Sequence, residues 1–390
     1  MIQIFSRHHL IPVFFLLLSA CGKNISPATI TPSQIVPAEQ TTQPSIAATF
    51  TATPSPTLAV TPTYPPILPL SSTVYSLAVP GAYINHLAMD DYYLYWTTSG
   101  GGDLFRRFVA SPKNTPGTII AQTYFNLGTL SAYPGPSLFR AGNWLVFDDR
   151  QFFNNSSTWV LRAVNITSGA EQRIAQSQGS EILYSFSSDG EWLVWISGAQ
   201  SGGTAVNMES LQTEDRRELV HSNYAQNGWE QVAVSAGRAA AVYRGSDGRA
   251  LYLFDLESGQ NRKLLTVTSD STMDGLSFNG NWIAWKSGTN FQGSTALYNL
   301  QTGGTELLPD WGYQTLLSGR WLTWEAAYEQ PLYAIDLESD KGYLIASAQP
   351  EDDLISPTIR GSVIAWCRFH VDPSDRSKGD STLQSRTLPN

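Results

Sequence analysis

The chain has 390 residues, 42% of them hydrophobic and 12% aromatic, with 15% charged and a formal net charge of −9. So much apolar surface excludes a disordered chain. The acidic, lysine-poor balance argues against a nucleic-acid partner and against attraction to anionic lipid.

Arg7 precedes an apolar run, Leu10–Leu18, about half the roughly 20 residues a membrane-spanning helix needs. Leu18-Ser19-Ala20-Cys21 follows directly and resembles the bacterial lipobox, in which small residues fit the peptidase cleft and the thiol accepts a diacylglyceryl group. The resemblance implies that residues 1–20 are removed as a signal peptide and that Cys21 is lipidated. It also implies a mature chain that faces out of the cytoplasm from the cell membrane or outer membrane. Each acyl methylene buried in the bilayer contributes ~0.8 kcal/mol, so two or three chains anchor stably. Gly22, in place of the aspartate associated with inner-membrane retention, favours outward display. Cys367 is the other cysteine, so no internal disulfide is expected and the exported part must rely on its core.

Residues 21–70 are dominated by Thr, Pro, Ser, Ala and Ile. Each proline fixes φ, lacks a donor and pushes its predecessor to extended conformations. A disordered linker is expected, reaching on the order of 100 Å at polyproline-like spacing.

From residue 71 to residue 390 the chain repeats itself. A tight turn, usually ending in glycine, is followed by an apolar, aromatic strand: Asp91-Tyr92-Tyr93-Leu94-Tyr95-Trp96, Gly142-Asn143-Trp144-Leu145-Val146-Phe147, and Gly190-Glu191-Trp192-Leu193-Val194-Trp195. A degenerate copy spans 237–242, and three more begin at Gly280, Gly319 and Gly361. The spacing of 39 to 51 residues is close to the ~40–50 of a four-stranded propeller blade. A short strand precedes each turn, and a third strand such as Leu251–Asp255 and a fourth such as Arg262–Leu265 follow. An all-β, seven-bladed β-propeller is expected, with six or eight blades as alternatives. The near-continuous apolar strands suit a position buried on both faces, so the repeat tryptophans are expected to pack between blades. The last unit lacks a fourth strand, and Ser72–Val79 stands ready to supply it, closing the ring and covering its edge.

Turn, Trp-Leu-Val-Trp strand and Leu-Tyr-x-x-Asp-Leu-x-Ser-Gly together resemble the TolB-type (WD40-like) propeller repeat over residues 71–390, with the Ser-x-Asp-Gly motif at Ser187–Gly190. The resemblance implies a propeller used for binding. It does not carry over a Tol-system role, because the Thr/Pro segment stands where TolB has an α/β domain.

No catalytic or metal-binding pattern emerges. His86, His221 and His370 fall in different units, no Ser elbow opens a helix, and no recognisable calcium loop occurs. No cofactor or metal is expected, and the chain reads as a non-enzyme. Asp148-Asp149 and Glu351-Asp352-Asp353 could serve glycoside chemistry as paired carboxylates, but solvated loop charges are the favoured reading.

One face of the disc is expected to carry tight, uniform turns. The other is expected to carry variable loops, among them Gln122–Gly135, Asp148–Ser157, His221–Trp229 and His370–Ser381, where binding residues concentrate. The candidates are Tyr124, Asp149, Arg150, Tyr224, Trp229, Trp311, Tyr328 and Asp353. The expected function is a lipid-anchored, monomeric, non-enzymatic module that binds an envelope protein or glycan. The alternatives are a propeller glycoside hydrolase or lyase, and an envelope-assembly scaffold.

Overall fold

The computed structural model describes residues 67–389 apart from 71, 80–81, 92, 101–104, 113–117, 125–137, 142, 154–155, 178–180, 200–201, 224–226, 269–270, 290–291, 310–311, 327–330, 348 and 373. The signal segment, Cys21 and nearly all of the expected linker lie outside the described residues. None of the described segments is a helix long and apolar enough to cross a membrane.

The described chain forms a β-propeller of seven sheets, named here in chain order. Sheet I runs Ala82–Met89, Tyr93–Gly100, Phe105–Pro112 and Thr118–Tyr124. Sheet II is Leu138–Ala141, Trp144–Phe153, Ser156–Asn165 and Glu171–Gln176, and sheet III is Glu181–Ser188, Trp192–Ala199, Thr204–Ser210 and Arg216–His221. Sheet IV comprises Gly228–Ser235, Arg238–Gly245, Gly248–Asp255 and Asn261–Val267; sheet V comprises Asp274–Phe278, Trp282–Thr289, Gln292–Asn299 and Thr305–Pro309. Sheet VI has Gly312–Ser318, Trp321–Ala326, Leu332–Asp336 and Lys341–Ala346; sheet VII has Asp352–Arg360, Val363–Asp372 and Asp375–Thr387. Within each sheet consecutive strands pair antiparallel. The first strand of every sheet adjoins the first strand of the next, and that of sheet VII returns to sheet I.

Every aromatic repeat falls on a second strand, and its last ring packs backwards onto the preceding sheet. Phe147 joins sheet II to Ala88 and Tyr95 of sheet I. Trp195 joins sheet III to Leu161 and Ile174 of sheet II, and Trp285, Trp324 and Trp366 do the same for the next interfaces they meet. Trp96 closes the series against Cys367 and Phe369 of sheet VII. The core is therefore a ring of apolar clusters, each shared by two neighbouring sheets.

Sheet IV tests the rule, because its second strand carries Ala239, Ala240, Ala241 and Val242 instead of aromatics. The missing volume toward sheet III is filled by Trp229 from the first strand, packed edge-on against Tyr243, Tyr252 and Phe254 at 5.1–5.5 Å. Trp229 is 5% exposed. The expectation that it belongs to a binding loop is corrected: it compensates a degenerate repeat.

The first strands line the central channel with one free edge, and buried backbone donors there must find partners. Side chains of the preceding sheet supply them. Ser185 and Ser187 accept from the Val232 and Val234 N–H at 3.3 and 3.1 Å, and Gln231 Oε1 accepts from Leu276 N–H at 2.9 Å. Ser277 accepts from Leu317 N–H, and Ser318 from the N–H of Gly361 in the exposed turn after the first strand of sheet VII, both at 2.9 Å. Replacing Ser187 with alanine should strand the buried Val234 donor and cost about 1–3 kcal/mol in urea unfolding. A loss near zero would show that water takes over the bond.

Closure follows the expected route. Tyr75–Val79 pairs antiparallel with Ser381–Ser385 as the outer strand of sheet VII. An element not expected precedes it: Ile67–Pro69 adds to sheet VI, parallel to Gly342–Leu344. The folded domain thus begins within the segment assigned to the linker, before residue 71. Arg386 ties the crossing between the two strands, donating to the carbonyls of Leu70, Ser72 and Ile345, while Ser72 Oγ donates to the Thr387 carbonyl at 2.7 Å.

Candidate functional site

Two of the expected variable loops are not loops. In the expected loops Asp148–Ser157 and His370–Ser381, the second strands run on to Phe153 and Asp372 and the third strands begin at Ser156 and Asp375, with Asp149 opposite Val160, Arg150 opposite Trp159, and His370 opposite Asp380. Polar sequence hides a strand where the ladder projects past the core, because pairing there does not require apolar side chains. Tyr124 ends the fourth strand of sheet I, opposite Phe105. Asp353 lies half-buried opposite Phe369. Tyr224, Trp311 and Tyr328 lie outside the described residues.

A concave feature of the described residues is the central channel, a cavity of about 630 Å³ lined by the first strands of all the sheets and by the turns that follow them. Of the expected binding residues whose side chains are described, Trp229 and Asp353, neither lines it. Its apolar wall includes Leu87, Leu138, Leu183 and Leu316; its polar wall includes Ser185, Ser187, Gln231, Ser277 and Ser318. The Ser hydroxyls that accept an inter-sheet N–H keep their own proton to donate. The cavity extends to the face of uniform turns, where Arg140, Asp189, Glu191, Asn279 and Arg360 stand. A legible signal was present: Ser185 and Ser187 alternate along one strand, as channel-facing residues must.

Turn chemistry fixes the charged rim. Asp189 Oδ1 accepts from the N–H groups of Glu191 and Trp192 at 3.2 and 3.0 Å, and its Oδ2 accepts from Gly237 N–H of the next sheet at 3.2 Å. Gly190 supplies the φ of 106° that the turn needs. Asp90 plays the corresponding part in sheet I, accepting from Tyr93 N–H, from the Tyr95 hydroxyl at 2.8 Å, and from Arg140 Nε at 3.0 Å. Burial, with the neighbouring Asp90 carboxylate, pushes the Tyr95 phenol well above its usual range.

The acidic runs are also placed differently from expectation. Asp148 is 6% and Asp352 7% exposed, so neither is a solvated loop charge. Asp352 opens the first strand of sheet VII and holds Arg368 Nη1 at 2.5 Å and His370 Nδ1 at 2.9 Å; Arg368 is fixed in turn by Gln384 and the Ser347 carbonyl. The Asp352 hydrogen bond raises the His370 pKa above its usual value against an opposing desolvation, with the Asp352, Glu351 and Asp380 charges adding to the rise. A folded-state rise favours the protonated ring. Its contribution to stability is therefore complete below the unfolded value of roughly 6.5 and fades as pH climbs through the higher folded one. In an NMR titration Asp352→Asn should lower the His370 midpoint. An unchanged midpoint would mean that the pair is not formed in solution.

His86 lies half-buried on the first strand of sheet I and has a partner. His221 is 3.7 Å from Glu218. No group of three or more His, Cys, Asp or Glu suited to a metal occurs among the described residues. Cys367 is buried between sheets VII and I, and desolvation pushes its thiol up to about 12.

No family model matches the chain, and no curated protein matches it. Solved structures do. An oligogalacturonate lyase in complex with manganese is 13% identical at a TM-score of 0.54, covering 84% of this chain and 98% of its own. The β-propeller domain of the trilobed protease from Pyrococcus furiosus, described as having an open velcro topology, is 10% identical at 0.56, covering 79% of this chain and 98% of its own. A prolyl endopeptidase is 13% identical at 0.52 over 76% of this chain; the match spans 48% of the endopeptidase. TolB from Acinetobacter baumannii is also similar, at 11% identity and a TM-score of 0.42. At these identities the likeness establishes the fold.

These neighbours correct one expectation. The want of a motif predicts a non-enzyme, yet an oligogalacturonate lyase shares the fold over nearly its whole length and an endopeptidase over 48% of its own. The lack of a recognisable motif is no ground for calling a propeller inactive. The manganese of the lyase complex finds no matching donor cluster among the described residues here.

Proposed function

We propose that this chain is an exported, lipid-anchored, seven-bladed propeller that takes a glycan into its central channel from the face of uniform turns. The observation that carries the reading is the channel itself: about 630 Å³, ringed by hydroxyl and amide groups held in place by inter-sheet hydrogen bonds. Sugars present alternating hydroxyl donors and acceptors, and a wall of Ser and Gln side chains meets both. The linker lifts this site away from the membrane that holds Cys21, and the propeller works as a monomer.

Binding of an oligosaccharide panel by calorimetry tests this reading, alongside Ser235→Trp, which puts an indole into the channel wall. Binding should disappear in the plugged variant while its melting temperature holds. Glycan binding that survives the plug would move the site elsewhere. Anchoring is tested separately by palmitate labelling in cells, which Cys21→Ala should abolish.

A second reading, turnover of the bound glycan as a hydrolase or lyase, is favoured by one observation: Asp148, Asp189 and Glu191 line the same cavity. Paired carboxylates are the usual apparatus of glycoside hydrolysis. New reducing ends or unsaturated products on incubation with envelope polysaccharide would establish it. Recovery of every bound glycan intact would leave binding alone.

A further inference from the structure

We infer that the channel sorts its ligands by charge, favouring amine-bearing sugars, tolerating neutral ones and turning away uronic acids; this rests on the channel being the glycan site. The argument comes from which charges at its mouth are already matched. Arg140 points its Nε at Asp90 Oδ2, 3.0 Å away, and its guanidinium lies 5.8 Å from the centre of the Tyr95 ring. Arg360 Nε is 3.6 Å from Asp91 Oδ1. Each rim cation thus has a carboxylate outside the lining to answer it.

The rim carboxylates are not answered in the same way. Asp189 and Glu191 have no ion-pair partner among the described residues, and no lysine lines the cavity. The three backbone N–H bonds to Asp189 fix where its charge stands; they add no cation. Glu191 is exposed at the opening. With Asp90 and Asp91 offsetting the two arginines and no cation answering Asp189 and Glu191, the mouth is net acidic on a chain of net charge −9. A cleft with low-dielectric walls concentrates such a field. A carboxylate on the ligand meets repulsion. An ammonium meets two oxygen-rich acceptors and brings three donors to them.

The inner wall then reads the uncharged part of the ligand. Ser185, Ser187, Ser277 and Ser318 each receive one backbone N–H, which leaves each hydroxyl proton for a sugar oxygen. Charge sorts at the mouth and hydroxyl geometry sorts within.

Three oligosaccharides of equal length provide the test, titrated calorimetrically into the full chain in detergent: oligomers of glucosamine, N-acetylglucosamine and galacturonic acid. The amine oligomer should bind tightest and the uronate weakest. The gap should be about tenfold at low salt, the size expected for one screened charge pair, and should shrink as salt is added. Glu191→Gln should narrow the gap several-fold, and Asp189→Asn, checked for an intact melting transition, should narrow it further. A uronate that binds as well as the amine, or a gap indifferent both to salt and to these substitutions, overturns the charge filter and leaves the glycan channel standing. If none of the three binds, the channel reading itself falls and this inference with it.

Discussion

Trp195→Ala should cost roughly 3–5 kcal/mol of unfolding free energy, the range for emptying a buried tryptophan site, out of the ~5–15 kcal/mol a domain typically has. The ring is 1% exposed and sits among Leu161, Ile174, Phe186 and Leu193 at the junction of sheets II and III. Arg216 covers it, with its guanidinium 4.9 Å from the ring centre, and donates to the Ile174 carbonyl of the neighbouring sheet at 3.0 Å. Removing the indole therefore opens a cavity at a seam and leaves the arginine without its platform. Trp192→Ala, at a half-buried position on the same strand, should cost clearly less. Urea unfolding of both variants decides the matter. Equal, small losses would mean that the repeat tryptophans are not the packing elements of the ring.

That prediction concerns the part of the molecule most plainly written in its sequence. An aromatic strand after a glycine turn is legible because one physical demand, burial on both faces between neighbouring sheets, acts on every copy. The spare strand Ser72–Val79 was legible for a related reason: the last unit was one strand short. Trp229 was not, because its role depends on what sheet IV lacks. A compensating residue shows no pattern until the gap it fills is seen in space. The extended hairpins of sheets II and VII were missed because Asp148-Asp149-Arg150-Gln151 and His370–Gly379 have the composition of loops. The channel was missed because it is made of single residues contributed by every repeat, and no local stretch of sequence contains it. Asp352 shows the limit in another way. Its neighbours Glu351 and Asp353 share its chemistry, yet register turns Asp352 inward, onto Arg368 and His370.

The ring closure supplies the other large effect. A chain that starts at Ile67 retains both N-terminal strands, whereas one that starts after Val79 loses the partner of Ser381–Ser385 and the side chains of Leu77 and Val79, which pack against Ile84, Cys367 and Leu383 at the junction of sheets VII and I. Leu77 and Val79 are half-buried, and at about half of the 1.5–3 kcal/mol that full burial is worth they already contribute about 1.5–3 kcal/mol together. The exposed third strand of sheet VII would also become a bare edge open to pairing with other chains. The shorter chain should therefore melt far lower and associate through that edge, visible as higher-mass species in light scattering. Arg386→Ala should fall between the two, since it releases the crossing at Leu70 and Ser72 but keeps the strand. Should the shorter chain melt like the longer one and stay monomeric, the packed seams alone would hold the ring. The N-terminal strands would then act as the fastening of the tether, taking its pull along sheets VI and VII without being needed to close them.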